Sequence, residues 1–135
     1  MTNKVSSRWA GAVPRLQSVL RIVAAAMFIL AGTPKLFGFP VHMPGGATAH
    51  VLSEIWFAGV LEVVGGGLLL LGLFTRPVAF LLSGEMAVAY FQVHGPKGLW
   101  PTVNGGVSAV LYCFIWLYFS AAGAGPWSLD ARRRK

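Results

Sequence analysis

Two carboxylic acids stand in the middle of long apolar runs, where an acid needs a chemical reason. Glu62 lies within GVLEVVGGGLLLLGLF and Glu85 within FLLSGEMAVAYF. An ionised side chain at a bilayer centre costs about 2.5–3.5 kcal/mol on insertion scales, so each acid must be paired, protonated or hydrated. If the two face each other, they share a proton. We therefore consider both as candidate catalytic residues for proton handling, the alternative being a polar network that fixes helix register.

Three basic side chains are candidates for contacts with a bound cofactor. Arg21 and Lys35 begin and end the first apolar run, and their spacing puts them on roughly one helix face, about 20 Å apart. Arg21 is long enough to reach inward toward the acids, whereas Lys35 can reach the outer headgroups or a ligand. His94 follows the third apolar run and can relay protons near neutral pH. Interfacial side chains without a ligand are the alternative for each.

The composition indicates the class of fold that holds these candidate residues. The chain is 56% hydrophobic and 11% charged, whereas soluble domains carry roughly 25% charged residues. A bilayer core about 30 Å thick requires roughly 20 residues per helix. A chain of 135 residues accommodates four such helices with short connections. We predict an all-α, polytopic membrane protein that forms one antiparallel bundle of four transmembrane helices.

Proline and glycine clusters delimit the predicted segments. Residues 1–15 form a basic N-terminal tail, residues 16–122 the transmembrane domain, and residues 123–135 a basic C-terminal tail. The predicted helices cover residues 16–37, 51–74, 77–94 and 103–122. Asn104 is predicted to cap the fourth helix.

The basic residues predict the orientation. The net charge is +7, and with four spans most basic residues fall on one side: Lys4, Arg8, Arg15, Arg76 and residues 132–135. Only Lys35 and Lys97 are expected on the other side. The positive-inside rule therefore places both termini in the cytoplasm. No basic face with interleaved aromatics is present, so we do not expect nucleic-acid binding.

Several functional classes are disfavoured by what the chain encodes. Cys113 is the single cysteine, which excludes a Cys-x-x-Cys enzyme that passes electrons from thiols to quinone. We predict no metal site, the alternative being that His42, His50 and His94 gather on the outer side and bind a metal weakly. A small multidrug exporter would need a carboxylate in the first helix, where this chain has Arg21 and Lys35 instead.

Longer motifs resemble a known family. RIVAAAMFILAGTPKLFGF, GVLEVVGGGLLLLGLFTRPVAF, EMAVAY followed by His94, and GAGPWSLDA together resemble the DoxX family of small bacterial membrane proteins. Family members often carry an acid after the glycines that open the fourth helix, whereas Gly105-Gly106 is followed here by Val107-Ser108. A role of that acid is therefore not expected in this chain.

The resemblance implies a redox association. The family is similar to the membrane subunits of thiosulfate:quinone oxidoreductases, which implies a multi-pass protein of the bacterial cytoplasmic (inner) membrane. Lys35, Glu62, Arg76 and His94 match its recurring polar positions. The implied function is a membrane subunit of a quinone-linked system, in which Arg21, Lys35 or His94 contacts quinone and a partner supplies electrons. The alternative is a non-catalytic accessory subunit, bound in the lipid bilayer to other proteins or to further copies of itself.

Overall fold

The computed structural model describes the backbone of residues 2–135 and the side chains of residue 7 and residues 9–135. The side chains of Lys4 and Arg8, which belong to the predicted basic tail, lie outside that description. All secondary structure in the described part is helical, which confirms the all-α class. Two helices, Trp9–Phe37 and Glu54–Leu71, are long and apolar enough to cross a membrane, each with a mean hydropathy of 1.7.

The first helix, α1, runs from Thr2 to Phe37, so it includes most of the segment predicted as a tail. No pair of helix-breaking residues interrupts the sequence before Pro14. Pro14 lacks one backbone N–H donor, but the helix continues through it. The helix ends where Gly38 adopts a left-handed backbone conformation with φ of 65°. At 36 residues it is about 54 Å long, which exceeds a bilayer core of about 30 Å.

The second helix, α2, covers Glu54–Leu71, a shorter stretch than the predicted 51–74. Ser53 caps its start, because the Ser53 hydroxyl accepts a hydrogen bond from the Trp56 N–H. Gly72, with φ of 66°, ends the helix in a left-handed conformation. Between these ends, Leu61–Gly65 forms a π-helical segment. Such widened turns occur often at functional sites, and this one contains Glu62.

The remaining helices are α3 (Thr75–Ala89), α4 (Pro101–Asn104), α5 (Val107–Ala122) and α6 (Leu129–Arg133). A second π-helical turn, Tyr90–His94, extends α3 to the predicted end of the third segment. The fourth long helix begins at Val107 and not near 103, because Gly105 takes φ of 73° and separates α4 from α5. Asn104 therefore ends α4 and does not cap α5.

Glycines allow α1 and α2 to approach closely. A Cβ added to Gly32 of α1 would lie 2.8 Å from the Cβ of Glu62 and 2.9 Å from the carbonyl oxygen of Gly59. A Cβ on Gly66 would lie 2.8 Å from the Ile29 side chain. Small residues at such crossings let membrane helices pack backbone to backbone. This contact sets the register that faces Lys35 toward Glu62.

The core lies where α3 and α5 pack along each other and where Phe28 of α1 contacts the aromatic rings of α5. Three large aromatic side chains are fully buried there, from α1 and α5: Phe28, Trp116 and Phe119. Many other large apolar side chains are exposed along all the long helices. An exposed apolar exterior around a small packed core is the pattern expected of a chain surrounded by lipid.

Candidate functional site

The centre of the candidate site is an ion pair between α1 and α2. The Lys35 ammonium lies 2.6 Å from each of the two carboxylate oxygens of Glu62. The Glu62 side chain is 4% exposed and that of Lys35 is 26% exposed. The pair therefore has one buried member and one member that reaches the surface. Sequence reasoning directed Lys35 toward the outer headgroups or a ligand, whereas the structure directs it at Glu62.

Glu85 on α3 adds a second carboxyl group to this pair. Glu85 lies within electrostatic range of both Glu62 and Lys35. Both of its carboxyl oxygens are buried and have no hydrogen-bond partner among the described residues. A charged or polar group buried without a partner is costly, so an unpaired carboxyl at this position is a notable exception in the chain. We call Lys35, Glu62 and Glu85 the acidic centre.

Aromatic side chains of α1 and α5 form a wall beside the acidic centre. Tyr112 is within electrostatic range of Glu62, and its ring stacks on that of Trp116 with centroids 5.9 Å apart. Phe28 packs against both rings, at 4.9 Å and 5.3 Å. The indole N–H of Trp116 is buried and has no acceptor among the described residues. Sequence reasoning missed this inward-facing donor.

The charges of the acidic centre do not balance when all three groups are ionised. Lys35 neutralises Glu62, and one negative charge then remains on Glu85. Inside a membrane that carboxyl must hold a proton, or pair with a donor that the described residues do not supply. The arrangement can therefore hold and release one proton beside a fixed ion pair. It can also offer hydrogen bonds to a polar group placed between the helices.

Arg21, another predicted cofactor contact, has a different set of partners. Its guanidinium donates to the carbonyls of Leu69 (2.8 Å) and Leu70 (3.1 Å) at the end of α2. It also donates to the carbonyls of Ala124 (2.9 Å) and Trp127 (2.5 Å) in the C-terminal segment. The side chain is fully buried. The structure thus places Arg21 at the C-terminal end of α2, about 20 Å from Lys35 along α1, and does not bring it to the acidic centre.

Asp130 also connects the C-terminal segment to a helix end, at the same end of the bundle as Arg21. Its two carboxylate oxygens accept hydrogen bonds from the N–H groups of Phe74 and Thr75, each at 2.9 Å. Partial burial disfavours the ionised carboxylate, but these hydrogen bonds and the nearby Arg133 outweigh it and lower the pKa of Asp130. Sequence reasoning noted the GAGPWSLDA motif but missed this role, since the two N–H groups lie more than fifty positions earlier.

His94, the third predicted cofactor contact, is half-buried at the end of the π-helical turn that extends α3. One ring nitrogen, Nδ1, lies 3.1 Å from the carbonyl oxygen of Asn104. The Asn104 side chain in turn donates to the Gly98 carbonyl and accepts from the Gly106 N–H, both at 2.8 Å. His94 thus belongs to a network that fixes the loop before α5. The structure brings together Lys35, Glu62 and Glu85 but not His94.

Comparisons with known proteins show the family of this chain. A family model described as DoxX matches residues 16–95, which covers α1 from residue 16 onward, α2, α3 and all three members of the acidic centre. The match spans more than half of the chain. The chain belongs to the DoxX family of membrane proteins.

Relatives cover nearly the whole chain. A protein of Haemophilus influenzae described as uncharacterized is 51% identical over 87% of this chain and 90% of its own length. The inner membrane protein YphA of Escherichia coli is 32% identical over 93% of this chain and 94% of its own. The uncharacterized membrane protein Rv3486 of Mycobacterium tuberculosis is 28% identical over 86% and 80%. No solved structure matches the chain.

Proposed function

We propose that the protein is the membrane subunit of a quinone-linked redox system of the bacterial inner membrane, and that the acidic centre binds the quinone headgroup and moves its protons. The observation that carries this proposal is the buried Glu85 carboxyl, which has no partner among the described residues and lies beside the Lys35–Glu62 pair. An intramembrane ionisable group marks a functional site more often than a structural one. The family membership supports the redox association only by analogy.

The donors present fit a quinone. The two carbonyl oxygens of a quinone accept hydrogen bonds. A bound quinone would accept two electrons and two protons on reduction. The chain offers the Lys35 ammonium, which remains partly accessible, and the unpaired indole N–H of Trp116. The stacked rings of Tyr112 and Trp116 provide a flat apolar surface of the kind that a planar headgroup contacts.

The three residues of the acidic centre would have different roles, which follow from their contacts. Lys35 is held by Glu62 at 2.6 Å and would orient a carbonyl oxygen without changing its own protonation. Glu85 would hold one proton on a carboxyl oxygen and deliver it to the ligand. Glu62 keeps Lys35 in place and receives no proton while that pair persists. Electrons would come from a partner protein.

Purification in gentle detergent from the native membrane, with quinone extraction and mass spectrometry of associated proteins, tests the proposal. We expect bound quinone in a stoichiometric amount, and Glu85→Gln to keep the fold but slow quinone reduction by about 100-fold, as general acid–base catalysis contributes 10²–10⁴-fold. The matched control is Glu54→Gln, which removes an exposed acid from the first turn of α2. A preparation with no quinone, or equal activity of the two variants, would refute the proposal.

An accessory role is the second candidate, and one observation favours it. The side-chain hydrogen bonds of Arg21 and Asp130 connect the C-terminal segment to the ends of α2 and α3. These two buried or partly buried charges therefore have a structural role. The adjacent α6 carries Arg132 and Arg133, which suit an acidic partner surface. Co-purification of large subunits without redox cofactors would support this role over the quinone-linked one.

A further inference from the structure

A cleft opens at the end of the bundle opposite the acidic centre. It has a volume of about 370 Å³ and lies where α1, α3 and the C-terminal segment meet. We call it the basic cleft, and its polar lining consists of Gln17, Arg76, Ser128, Asp130 and Arg134. The quinone-linked function proposed above makes no use of it.

The basic cleft carries an excess of positive charge with unused donors. Arg76 donates to the Ala121 carbonyl at 2.5 Å, and this uses one of the five N–H donors that a guanidinium has. Arg134 is exposed, and no described residue forms a hydrogen bond with its side chain. Asp130 is the acid of the lining, but both of its oxygens already accept backbone N–H groups. The free donors of the cleft are therefore cationic.

Apolar side chains continue from the cleft along the bundle. Phe80 stands one helical turn beyond Arg76 on α3, and Leu117 one turn before Ala121 on α5. Both are exposed. A ligand with an anionic head and an apolar tail would contact both the basic cleft and the apolar side chains beyond it. A free anion would contact the basic cleft alone.

We propose that the basic cleft binds the phosphate group of an anionic phospholipid, with its acyl chains lying against α3 and α5. Arg76 donates to the phosphate through the N–H groups that Ala121 does not use, because a guanidinium matches phosphate oxygens in a fork geometry. Arg134 closes over the phosphate from the end of α6. The site selects phosphatidylglycerol over the zwitterionic phosphatidylcholine.

Native mass spectrometry of the full chain in detergent, titrated with either lipid of identical acyl chains, tests this proposal. We expect the wild type to bind phosphatidylglycerol in preference. Arg76→Gln and Arg134→Gln should each weaken that binding about fivefold, the effect of one basic residue at a membrane surface. The matched control is Arg132→Gln, which removes one charge from α6 outside the cleft lining and should leave binding within twofold.

Three results would overturn the proposal. Equal binding of phosphatidylcholine would remove the charge selectivity, and equal losses in Arg132→Gln and Arg134→Gln would reveal diffuse attraction without a site. Complete competition by inorganic phosphate or by an acidic peptide would assign the cleft to a soluble anion or a protein. If Arg76→Gln fails to fold after losing its Ala121 contact, Arg134→Gln still decides the outcome.

Discussion

Single residues at one end of the bundle complement the helix ends by charge. The cationic Arg21 and Arg76 bind carbonyl oxygens at the ends of α2 and α5, where the helix dipole is negative. The anionic Asp130 binds N–H groups at the start of α3, where the dipole is positive. Each side chain thus binds backbone groups at a helix terminus, where intrahelical partners run out. Glu85 has no such partner, which is why we assign it a functional role.

Asp130 should make stability depend on pH in the acid range. Because its pKa in the folded protein is lowered below the usual value of 3.8, its contribution is present above that value and is lost as the pH falls through the lower, folded pKa. Asp130→Ala should therefore cost about 1 kcal/mol at pH 7, as for a lost helix cap. Unfolding in detergent from about pH 2 to about pH 7 measures this dependence.

The difference between Asp130→Ala and the wild type should shrink toward the acid end of the range. Glu54→Ala, which removes an acid from a different helix start, serves as the control for general effects of acidity. A difference that stays constant across the range would contradict the assigned role of the Asp130 carboxylate.

Breaking the Lys35–Glu62 pair should cost more when the lysine is removed. Lys35→Met leaves the Glu62 carboxylate, 4% exposed, without its counter-charge, and breaking a buried pair costs about 3 kcal/mol or more. Glu62→Leu leaves a lysine that is 26% exposed and can reach water, so we expect a smaller loss. Chemical unfolding in detergent compares the two variants.

The double variant of Lys35→Met and Glu62→Leu should recover to within about 1 kcal/mol of the wild type, because two apolar side chains replace the pair. Lys97→Met controls for the loss of a surface lysine. Equal and additive losses in the two single variants would mean that the pair is not coupled.

At the scale of the helices, Gly32 determines how closely α1 approaches α2. Gly32→Val would place side-chain atoms where a Cβ alone comes within 2.9 Å of the Gly59 carbonyl. Overpacking of this kind costs about 1–3 kcal/mol, and it should also separate Lys35 from Glu62. Gly67→Val on α2 is the matched control, because a Cβ there meets nothing within 4 Å. Thermal unfolding of both variants in detergent should show a lower midpoint for Gly32→Val alone.

The sequence predicted the helices better than it predicted their contacts. Apolar run length and the Gly and Pro breakers indicated four long segments, and each overlaps one of the long helices of the structure, although α1 begins at Thr2 and not near residue 16. The acids Glu62 and Glu85 were identified as a candidate centre because a charge in an apolar run is costly wherever it faces. Run length carries no information about helix rotation, so Lys35 could not be assigned to Glu62.

The partners of Arg21 could not be predicted for a related physical reason. They lie 48 to 106 positions away, and they are backbone carbonyls, which no side-chain pattern identifies. The C-terminal segment had been assigned to a tail. Its return to the helix ends depends on the left-handed turns at Gly72, Gly123 and Gly125, whose combined direction is fixed only by tertiary packing.

At the scale of the whole molecule, the distribution of basic residues favours one orientation. Lys35 and Lys97 are the two lysines expected on the outer side. Arg15, Arg76 and residues 132–135 lie toward the other end. The positive-inside rule therefore predicts that the Arg76 turn and α6 lie in the cytoplasm.

This orientation, together with four spans, predicts which single cysteines a membrane-impermeant maleimide reaches in intact cells. In a Cys113→Ala background, Ala47→Cys in the loop after α1 and Lys97→Cys in the loop after α3 should both be labelled. Arg134→Cys should be labelled only after the membrane is permeabilised. Labelling of Arg134→Cys in intact cells would reverse the orientation, while protection of one loop but not the other would exclude four spans. A reversed orientation would also place the basic cleft, which Arg134 lines, on the outer side of the membrane.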